Sequence, residues 1–169
     1  EAVPEVHIKE YSINAKATGE ILGTFYTNKW ADSRAIVSIR NNKGELVDTI
    51  TATDIGSNYG VYFFGKDLKN IQKWSAESPE LYTAEFAIYS KGRLIHSVKQ
   101  KFGFRTVEVR KRDGVYVNGI KIKFKGVNRH SFRPETGRTM SYANSLEDVQ
   151  LIKSMNMNAV RMSHYPPDG

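Results

Sequence analysis

The sequence has 169 residues, enough for one domain of ordinary size or for one domain and part of another. It contains no cysteine, so disulfides, thiolate metal sites and a cysteine nucleophile are excluded. No apolar run is long enough to cross a bilayer, and residues 1–5 lack the basic and apolar regions of a signal peptide. We therefore expect a soluble protein without a membrane partner, in a compartment (cytoplasmic or periplasmic) that the sequence leaves open.

The first hundred residues show short strand patterns separated by turns. Asn41-Asn42-Lys43-Gly44 predicts a tight turn, because Asn and Gly tolerate the positive φ that such turns need. Strict alternation predicts a hairpin of 81–89 with 93–104, with one apolar face. We expect that face to contain Tyr82, Ala84, Phe86, Ile88, Leu94, Val98, Phe102 and Phe104. Residues 1–104 are therefore predicted to form an immunoglobulin-like antiparallel β-sandwich that is held by packing alone.

The pattern changes after residue 104. A hairpin is predicted around Asn118-Gly119, followed by a strand in which Lys121, Lys123 and Lys125 share one wet face. A helix is predicted over 145–155, because Ser145-Leu146-Glu147-Asp148 is a capping-box pattern. Its apolar stripe contains Val149, Leu151, Ile152 and Met155.

With strands near 122–128 and 159–162, this helix completes one βαβ unit. A lone βαβ unit cannot bury both faces of its sheet. We therefore interpret residues 105–169 as the opening hairpin and first βαβ unit of an incomplete (β/α)8 barrel, and we expect the chain to be truncated. The fold class is mostly β.

The formal net charge of +7 is concentrated in this second region. Residues 104–169 contain 12 Lys and Arg against 6 Asp and Glu, a difference of +6. Such a region raises the hypothesis of nucleic-acid binding. The lysine alternation favours solvated strand faces instead, so we expect no nucleic-acid partner.

Polar side chains cluster at the carboxyl ends of the two strands of the βαβ unit, where α/β folds place their active sites. Asn128, Arg129 and His130 end the first strand, and Arg161 and His164 end the second. Each His or Arg has a structural alternative, as a hydrogen-bonded histidine or a buried ion pair. No residue in this segment is a compelling nucleophile.

Other candidates have stronger structural interpretations. Trp30 and Trp74 could stack on sugars, but core packing is the favoured interpretation. His7 and His96 lie in sandwich strands and are interpreted as surface or packing residues. Glu135 is the only acid near the strand-end motif, and we regard a general-acid role for it as a minor alternative.

A series of motifs resembles the bacterial β-galactosidases of glycoside hydrolase family 2. The first are Trp74-Ser75-Ala76-Glu77-Ser78-Pro79-Glu80-Leu81-Tyr82 and Gly103-Phe104-Arg105. Asn118-Gly119, Gly126-Val127-Asn128-Arg129-His130 and the stretch from Asn158 to Pro166 follow in the family's order. The resemblance is dense over 74–167 and weaker over 1–73.

This resemblance implies roles for particular residues. His130 and His164 would bind the sugar and support the transition state, and Arg161 would orient the nucleophilic glutamate and keep it ionised. Asn128 and Arg129 would support the pocket. The family's acid/base and nucleophile glutamates both lie beyond residue 169, so no catalytic or metal-ligating residue is expected here and this chain alone should be inactive. No cofactor is expected, although the full-length enzyme could take a divalent cation such as Mg²⁺.

The resemblance therefore implies a fragment of a retaining exo-β-glycosidase that hydrolyses terminal non-reducing β-D-galactose. Its implied partners are a β-galactoside and the remainder of the parent chain, and a homo-oligomer is compatible with the sequence. One alternative is a β-glucuronidase of the same family. Another is a non-catalytic carbohydrate-binding or spacer sandwich, but such a module would have no reason to continue into Arg161 and His164.

Overall fold

A computed structural model describes residues 4–29, 34–56 and 60–164 of the chain. The chain divides into two compact units, residues 1–120 and residues 121–169. The first unit is built of strands, and the second contains the one helix of the described residues.

The strands of residues 8–122 belong to two sheets. The larger sheet comprises β1 (Ile8–Ala15), β2 (Glu20–Thr27), β3 (Arg34–Arg40), β4 (Leu46–Gly56), β5 (Val61–Asp67), β6 (Tyr82–Ser90) and β7 (Arg93–Phe102). The smaller sheet comprises β8 (Val107–Arg110), β9 (Gly114–Val117) and β10 (Ile120–Ile122), in the order β10-β9-β8.

The seven strands of the larger sheet run in the order β1-β2-β5-β4-β3-β6-β7. β4 belongs to both halves of this order, because 46–52 pair with β3 and 53–56 pair with β5. The result is two antiparallel layers, β1-β2-β5 with the end of β4, and β3-β6-β7 with its beginning. This is the arrangement of an immunoglobulin constant-type sandwich. The predicted sandwich is confirmed.

The core lies between the two layers and is centred on Phe86 of β6. Phe86 is fully buried and contacts the rings of Tyr11, Phe25 and Phe64 at centroid distances of 5.1, 5.5 and 5.7 Å. Full burial of one such side chain contributes roughly 1.5–3 kcal/mol, and edge-to-face ring pairs add to it. Aromatic packing therefore stabilises this sandwich in the absence of a disulfide.

The alternation of the predicted hairpin is confirmed on β6, where Tyr82, Ala84, Phe86 and Ile88 are all buried. On β7 the prediction for Leu94 is wrong, because 54% of this residue is exposed. The pairing register shifts between Ile88 and Tyr89, so that Ile88 opposes His96 and Tyr89 opposes Leu94. One extra residue in β7 sends Leu94 to the outer face, as a β-bulge does.

The sequence motif that begins at Trp74 and the motif Gly103-Phe104-Arg105 pack against each other at one end of the sandwich. Trp74 donates its backbone N–H to the carbonyl of Phe104 (3.0 Å), and Phe104 is fully buried against the ring of Tyr82. A Cβ at Gly103 would lie 2.7 Å from the Trp74 side chain, and the Arg105 guanidinium lies 4.6 Å from the Trp74 ring centre. All three residues of the Gly-Phe-Arg motif therefore contact Trp74.

The hairpin that follows is attached to the sandwich through Asn118. Asn118 has a φ of 51°, accepts the Thr106 N–H through Oδ1 (2.9 Å) and donates through Nδ2 to the Trp74 carbonyl (2.8 Å). These bonds explain why the compact unit extends to residue 120. The domain boundary at 104/105 stays a prediction from the sequence.

The lysine strand is shorter than predicted. β10 ends at Ile122, and both Ile120 and Phe124 are exposed, so the alternation of wet and apolar faces does not continue to residue 125. The physical reason is Asn158, whose side chain accepts the Lys125 N–H (2.8 Å) and donates to the Lys123 carbonyl (3.0 Å). These bonds occupy backbone groups that a longer strand would use.

The second unit contains β11 (Gly126–Arg129), α1 (Tyr142–Ser154) and β12 (Ala159–Met162), with β11 and β12 paired in parallel. The βαβ unit is confirmed, but the predicted helix start is wrong. The cap is Ser141, whose hydroxyl accepts the Asn144 N–H while the Asn144 side chain accepts the Ser141 N–H. Ser145 and Asp148 lie inside the helix and bind arginines instead.

Candidate functional site

The parallel register of β11 and β12 determines which predicted site residues lie side by side. Asn128 pairs with Arg161, and Arg129 pairs with Met162. Because successive side chains point to opposite faces of a strand, Asn128 and Arg161 share one face and Arg129 and Met162 share the other. The site residues are therefore divided between two faces.

Arg129 lies on the face that carries the helix. Its Nε donates to Asp148 Oδ2 on α1 (2.7 Å), and its Nη2 lies 3.3 Å from the Ser145 hydroxyl. Asn128 and Arg161 are exposed on the opposite face. The predicted pocket support by Arg129 would therefore act through the helix and not through contact with a ligand.

The two predicted histidines lie together, each just beyond the carboxyl end of its strand. The rings of His130 and His164 are 5.7 Å apart between centroids and inclined at 67°. The backbone joins the two strand ends, because the Ser163 N–H donates to the Arg129 carbonyl (3.0 Å). Ser163 is buried, and the peptide bond between Ser163 and His164 is cis.

Arg161 directs its guanidinium toward this histidine pair. Its Nη1 lies 3.3 Å from the Ser163 hydroxyl and its Nη2 lies 3.4 Å from His164 Nδ1. Within residues 121–164, no carboxylate forms an ion pair with Arg161, and the residue is exposed. The arrangement thus presents a cation and two imidazoles at one edge of the sheet, which suits a carboxylate or several hydroxyl groups.

Three residues that organise this site are not predicted from the sequence. Arg133 donates to Asp148 Oδ1 (2.7 Å), to Glu147 (2.9 Å) and to the Asn144 carbonyl (3.2 Å). The other two, Asp148 and Ser145, fit the pattern of a helix cap in the sequence. The signal that could have found them is the spacing of basic residues 129 and 133 before a helix with acids at 147 and 148.

Of the remaining candidates, the structure describes Glu135, Trp74, His7 and His96. Glu135 is exposed in the loop after β11. Trp74 is half-buried, with Gly103 against its ring and the Arg105 guanidinium nearby, and it lines a surface cavity together with these two residues. His7 and His96 are half-buried in the sandwich, 6.2 Å apart. Trp30 lies outside the described residues.

Neither a metal centre nor a membrane span is found in the described part of the chain. Its His, Asp and Glu residues form no group of three or more that could hold a metal ion. No described residue is therefore assigned to the divalent cation considered for the full-length enzyme. No helix there is both long and apolar enough to span a membrane.

Comparison with protein families decides the assignment. The family described as "Glycosyl hydrolases family 2" matches residues 5–105, and "Glycosyl hydrolases family 2, TIM barrel domain" matches residues 107–169. The chain belongs to glycosyl hydrolase family 2. The βαβ unit is thus the start of a TIM barrel domain, and the predicted family and fold class are confirmed.

Individual relatives have two different names. A putative beta-glucuronidase of Formosa agariphila is 30% identical over 99% of this chain and 21% of its own length. A beta-galactosidase of Lactobacillus delbrueckii subsp. bulgaricus is 32% identical over 98% of this chain and 17% of its own length. The chain therefore spans about a fifth of the length of these curated relatives.

A solved structure matches the fold of nearly the whole chain. The beta-glucuronidase of Bifidobacterium dentium, complexed with coumarin-3-O-glucuronide, superposes with a TM-score of 0.83 at 25% identity. The match covers 96% of this chain and 28% of that one. The comparisons thus agree on glycosyl hydrolase family 2, and the relatives and structures that they name include both beta-galactosidases and beta-glucuronidases.

Proposed function

We propose that this chain forms one wall of the sugar pocket in a retaining exo-β-glycosidase that removes terminal non-reducing β-D-galactose. The observation that supports this most directly is the convergence of Arg161, His130 and His164 at the carboxyl ends of β11 and β12. That edge is where TIM barrels hold their active sites. The choice of galactose is supported by curated relatives, 31–43% identical to this chain, that are named as β-galactosidases, in whole or as a subunit.

The roles that we propose for Arg161, His130 and His164 are substrate binding and electrostatic stabilisation. Retaining hydrolysis needs two carboxyl groups about 5–5.5 Å apart, one as nucleophile and one as acid/base. In the described second unit, Glu147 and Asp148 are bound to arginines and Glu135 is exposed in a loop. Both catalytic carboxyl groups would therefore come from outside these residues, and the chain alone would be inactive.

Arg161 would then interact with the nucleophilic carboxylate. A guanidinium beside a carboxylate favours its charged form and so keeps it nucleophilic. His130 and His164 would hydrogen-bond sugar hydroxyls, and such bonds can strengthen as the ring acquires oxocarbenium character. Asn128, on the same face as Arg161, would complete this wall.

A β-glucuronidase is the second candidate, favoured by the relative from Formosa agariphila and by the structure from Bifidobacterium dentium. The same exposed Arg161 could face the carboxylate of a glucuronide. The two candidates differ at two carbons of the sugar: the 4-hydroxyl is axial in a galactoside and equatorial in a glucuronide, and C6 is a hydroxymethyl group in the first and a carboxylate in the second. They share the pocket wall described above.

The deciding experiment uses the full-length protein that contains this chain. It is assayed on nitrophenyl β-D-galactoside and nitrophenyl β-D-glucuronide, and the anomer first released is identified by NMR. We expect hydrolysis of the galactoside with retention and a lower kcat/KM for the glucuronide. The reverse preference would establish the second candidate, and turnover of neither would refute both.

A matched pair of variants tests the pocket wall in the same protein. His164→Ala is expected to lower kcat by roughly 10²-fold with a smaller rise in KM, because its hydrogen bonds are strongest in the transition state. His7→Ala, in the other unit, is expected to leave both constants within about 2-fold. An unchanged kcat in His164→Ala would make His164 a packing residue.

A further inference from the structure

Two arginines from one strand end converge on a single helix carboxylate. Arg129 ends β11, Arg133 lies four residues later, and both bind Asp148 of α1, at 2.7 Å each. Ser145, one helical turn before Asp148, adds its hydroxyl at 3.3 Å from Arg129. We call these four residues, Arg129, Arg133, Ser145 and Asp148, the helix-anchor cluster.

Burial distinguishes this cluster from an ordinary surface ion pair. The side chains of Arg129, Asp148 and Arg133 are 12%, 24% and 25% exposed, whereas that of Glu147, which also binds Arg133, is 69% exposed. An exposed pair is screened by water and contributes little, while a partly buried charge that loses its partner is left uncompensated. Asp148 is the member on which both guanidinium groups depend.

The cluster is connected by backbone to both histidines of the candidate site. His130 lies between the two anchored arginines, so the segment 130–132 is fixed at both of its ends. The carbonyl of Arg129 accepts the N–H of Ser163, the residue before His164. Arg129 thus links the helix anchor to one histidine directly and to the other through one hydrogen bond.

We propose that Asp148 is a positioning residue for the pocket wall: it holds Arg129 and Arg133 against α1 so that the imidazoles of His130 and His164 meet. Asp148 does not contact the substrate. This inference rests on the proposed function for its catalytic consequence only, since the ring geometry that it predicts belongs to this chain. Small displacements of positioned groups are costly, because a misplacement of about 1 Å can lower a rate by 10²-fold.

The first test is an NMR measurement on this chain with labelled histidines. The sequence contains four histidines, and the structure pairs them as His130 with His164 and His7 with His96. Each pair predicts a ring-to-ring nuclear Overhauser effect. The sandwich pair is an internal control for folding of the first unit, and retained amide-to-amide signals of α1 are the control for the second. In Asp148→Asn we expect the His130–His164 signal to fall at least ~5-fold and the His7–His96 signal to stay.

The matched control is Glu147→Gln, which removes the neighbouring exposed carboxylate and should leave both signals unchanged. Wild-type intensity of the His130–His164 signal in Asp148→Asn would overturn the inference. If Asp148→Asn loses both signals, the milder variant Ser145→Ala decides. It is expected to weaken only the His130–His164 signal, about 2-fold, and no change would refute the proposal.

The second test measures kinetics in the full-length protein below its unfolding midpoint. Asp148→Asn is expected to lower kcat by roughly 10- to 100-fold with KM within about 3-fold, while Glu147→Gln retains wild-type constants. Asp148→Glu, which restores a carboxylate, should recover part of the lost kcat. Unchanged kcat in Asp148→Asn would overturn the inference, whereas a wild-type protein inactive on both glycosides would refute the proposed function and leave the NMR result to decide positioning.

Discussion

The two units of the chain are stabilised by different interactions. The sandwich buries a continuous cluster of apolar side chains from strands β1 to β6, and partly buried side chains of β7 pack against it. In the described part of the second unit, residues 121–164, Ser163 is the only buried residue, and α1 buries none. The order of that unit comes from hydrogen bonds and ion pairs, which fix directions well but contribute little free energy.

The unit that has the buried core and the unit that holds the candidate site are therefore different. Val149 and Leu151 of α1, and Met155 at its C-cap, are about half exposed, although they belong to the predicted apolar stripe of the helix. All residues of the candidate site belong to the unit without a core of its own. The sandwich supplies stability, and the second unit supplies a geometry that depends on polar contacts.

The largest expected effect is on the core of the sandwich. Phe86→Ala removes the ring that contacts three others, and we expect the free energy of unfolding to fall by about 3–5 kcal/mol. Urea denaturation followed by fluorescence measures this. Phe63→Ala, at an exposed position of β5, is the matched control and should cost less than about 1 kcal/mol. Equal losses would show that the sandwich does not depend on this aromatic cluster.

A smaller effect is expected in the second unit, where Asn158 bridges to the chain before β11. Asn158→Ala removes its bonds to the Lys125 N–H and the Lys123 carbonyl. We expect amide exchange at Lys125 to accelerate about 10-fold, equivalent to ~1.4 kcal/mol, as for the loss of a hydrogen bond. Asn42→Ala, in a turn of the sandwich, serves as the control. Unchanged exchange at Lys125 would mean that other contacts hold this segment.

The smallest expected effect is a pH dependence of the sandwich. Burial, and secondly the charge of His7, lowers the pKa of His96 from 6.5, and its Nδ1 accepts the Ile8 N–H (3.2 Å). The unfolded chain therefore binds this proton at higher pH than the folded chain does. The stability that neutral His96 contributes to the folded state is fully present above pH 6.5. It is lost as the pH falls from 6.5 toward the lower pKa that His96 has in the folded chain.

Thermal unfolding between pH 7 and pH 5 measures this effect. His96→Gln, which keeps an acceptor but does not titrate, should reduce the fall in midpoint relative to wild type. His164→Gln, in the second unit, should not. Asp48 titrates in a separate window, because its hydrogen bond to Lys66 lowers its pKa from 3.8. An identical fall in wild type and His96→Gln would remove His96 as the cause.

Much of the fold could be predicted because it depends on local patterns. The alternation on β6 and the Asn-Gly corner follow from residue types in sequence order, and both agree with the structure. Leu94 could not be placed, because the bulge beside it is a property of the pairing of two strands. The predicted helix cap is misplaced because Ser141 with Asn144 forms the same kind of box as the one predicted at Ser145.

The candidate site could be predicted in part. The strand-end positions of His130, Arg161 and His164 follow from the βαβ order. The role of Arg129 could not be predicted, since the face that it occupies depends on strand register and its partner lies 19 residues away. The role of Asp148 could not be predicted either, because a carboxylate near the start of a helix is compatible with a capping box as well as with an ion pair.

The edge strands of the chain have a consequence for how its copies associate at high concentration. The outermost strands β1 and β7 are joined to each other, through Ile8 with His96 at one end and Tyr11 with Gln100 further along. These contacts use side chains and, from the backbone, the Ile8 N–H, so β1 and β7 remain edge strands, the kind that can pair with a strand from another molecule. In the second unit, β11 and β12 pair only with each other among the described strands, so that sheet retains open edges. Edge strands thus occur in both units, and in the second unit they carry the residues of the candidate site.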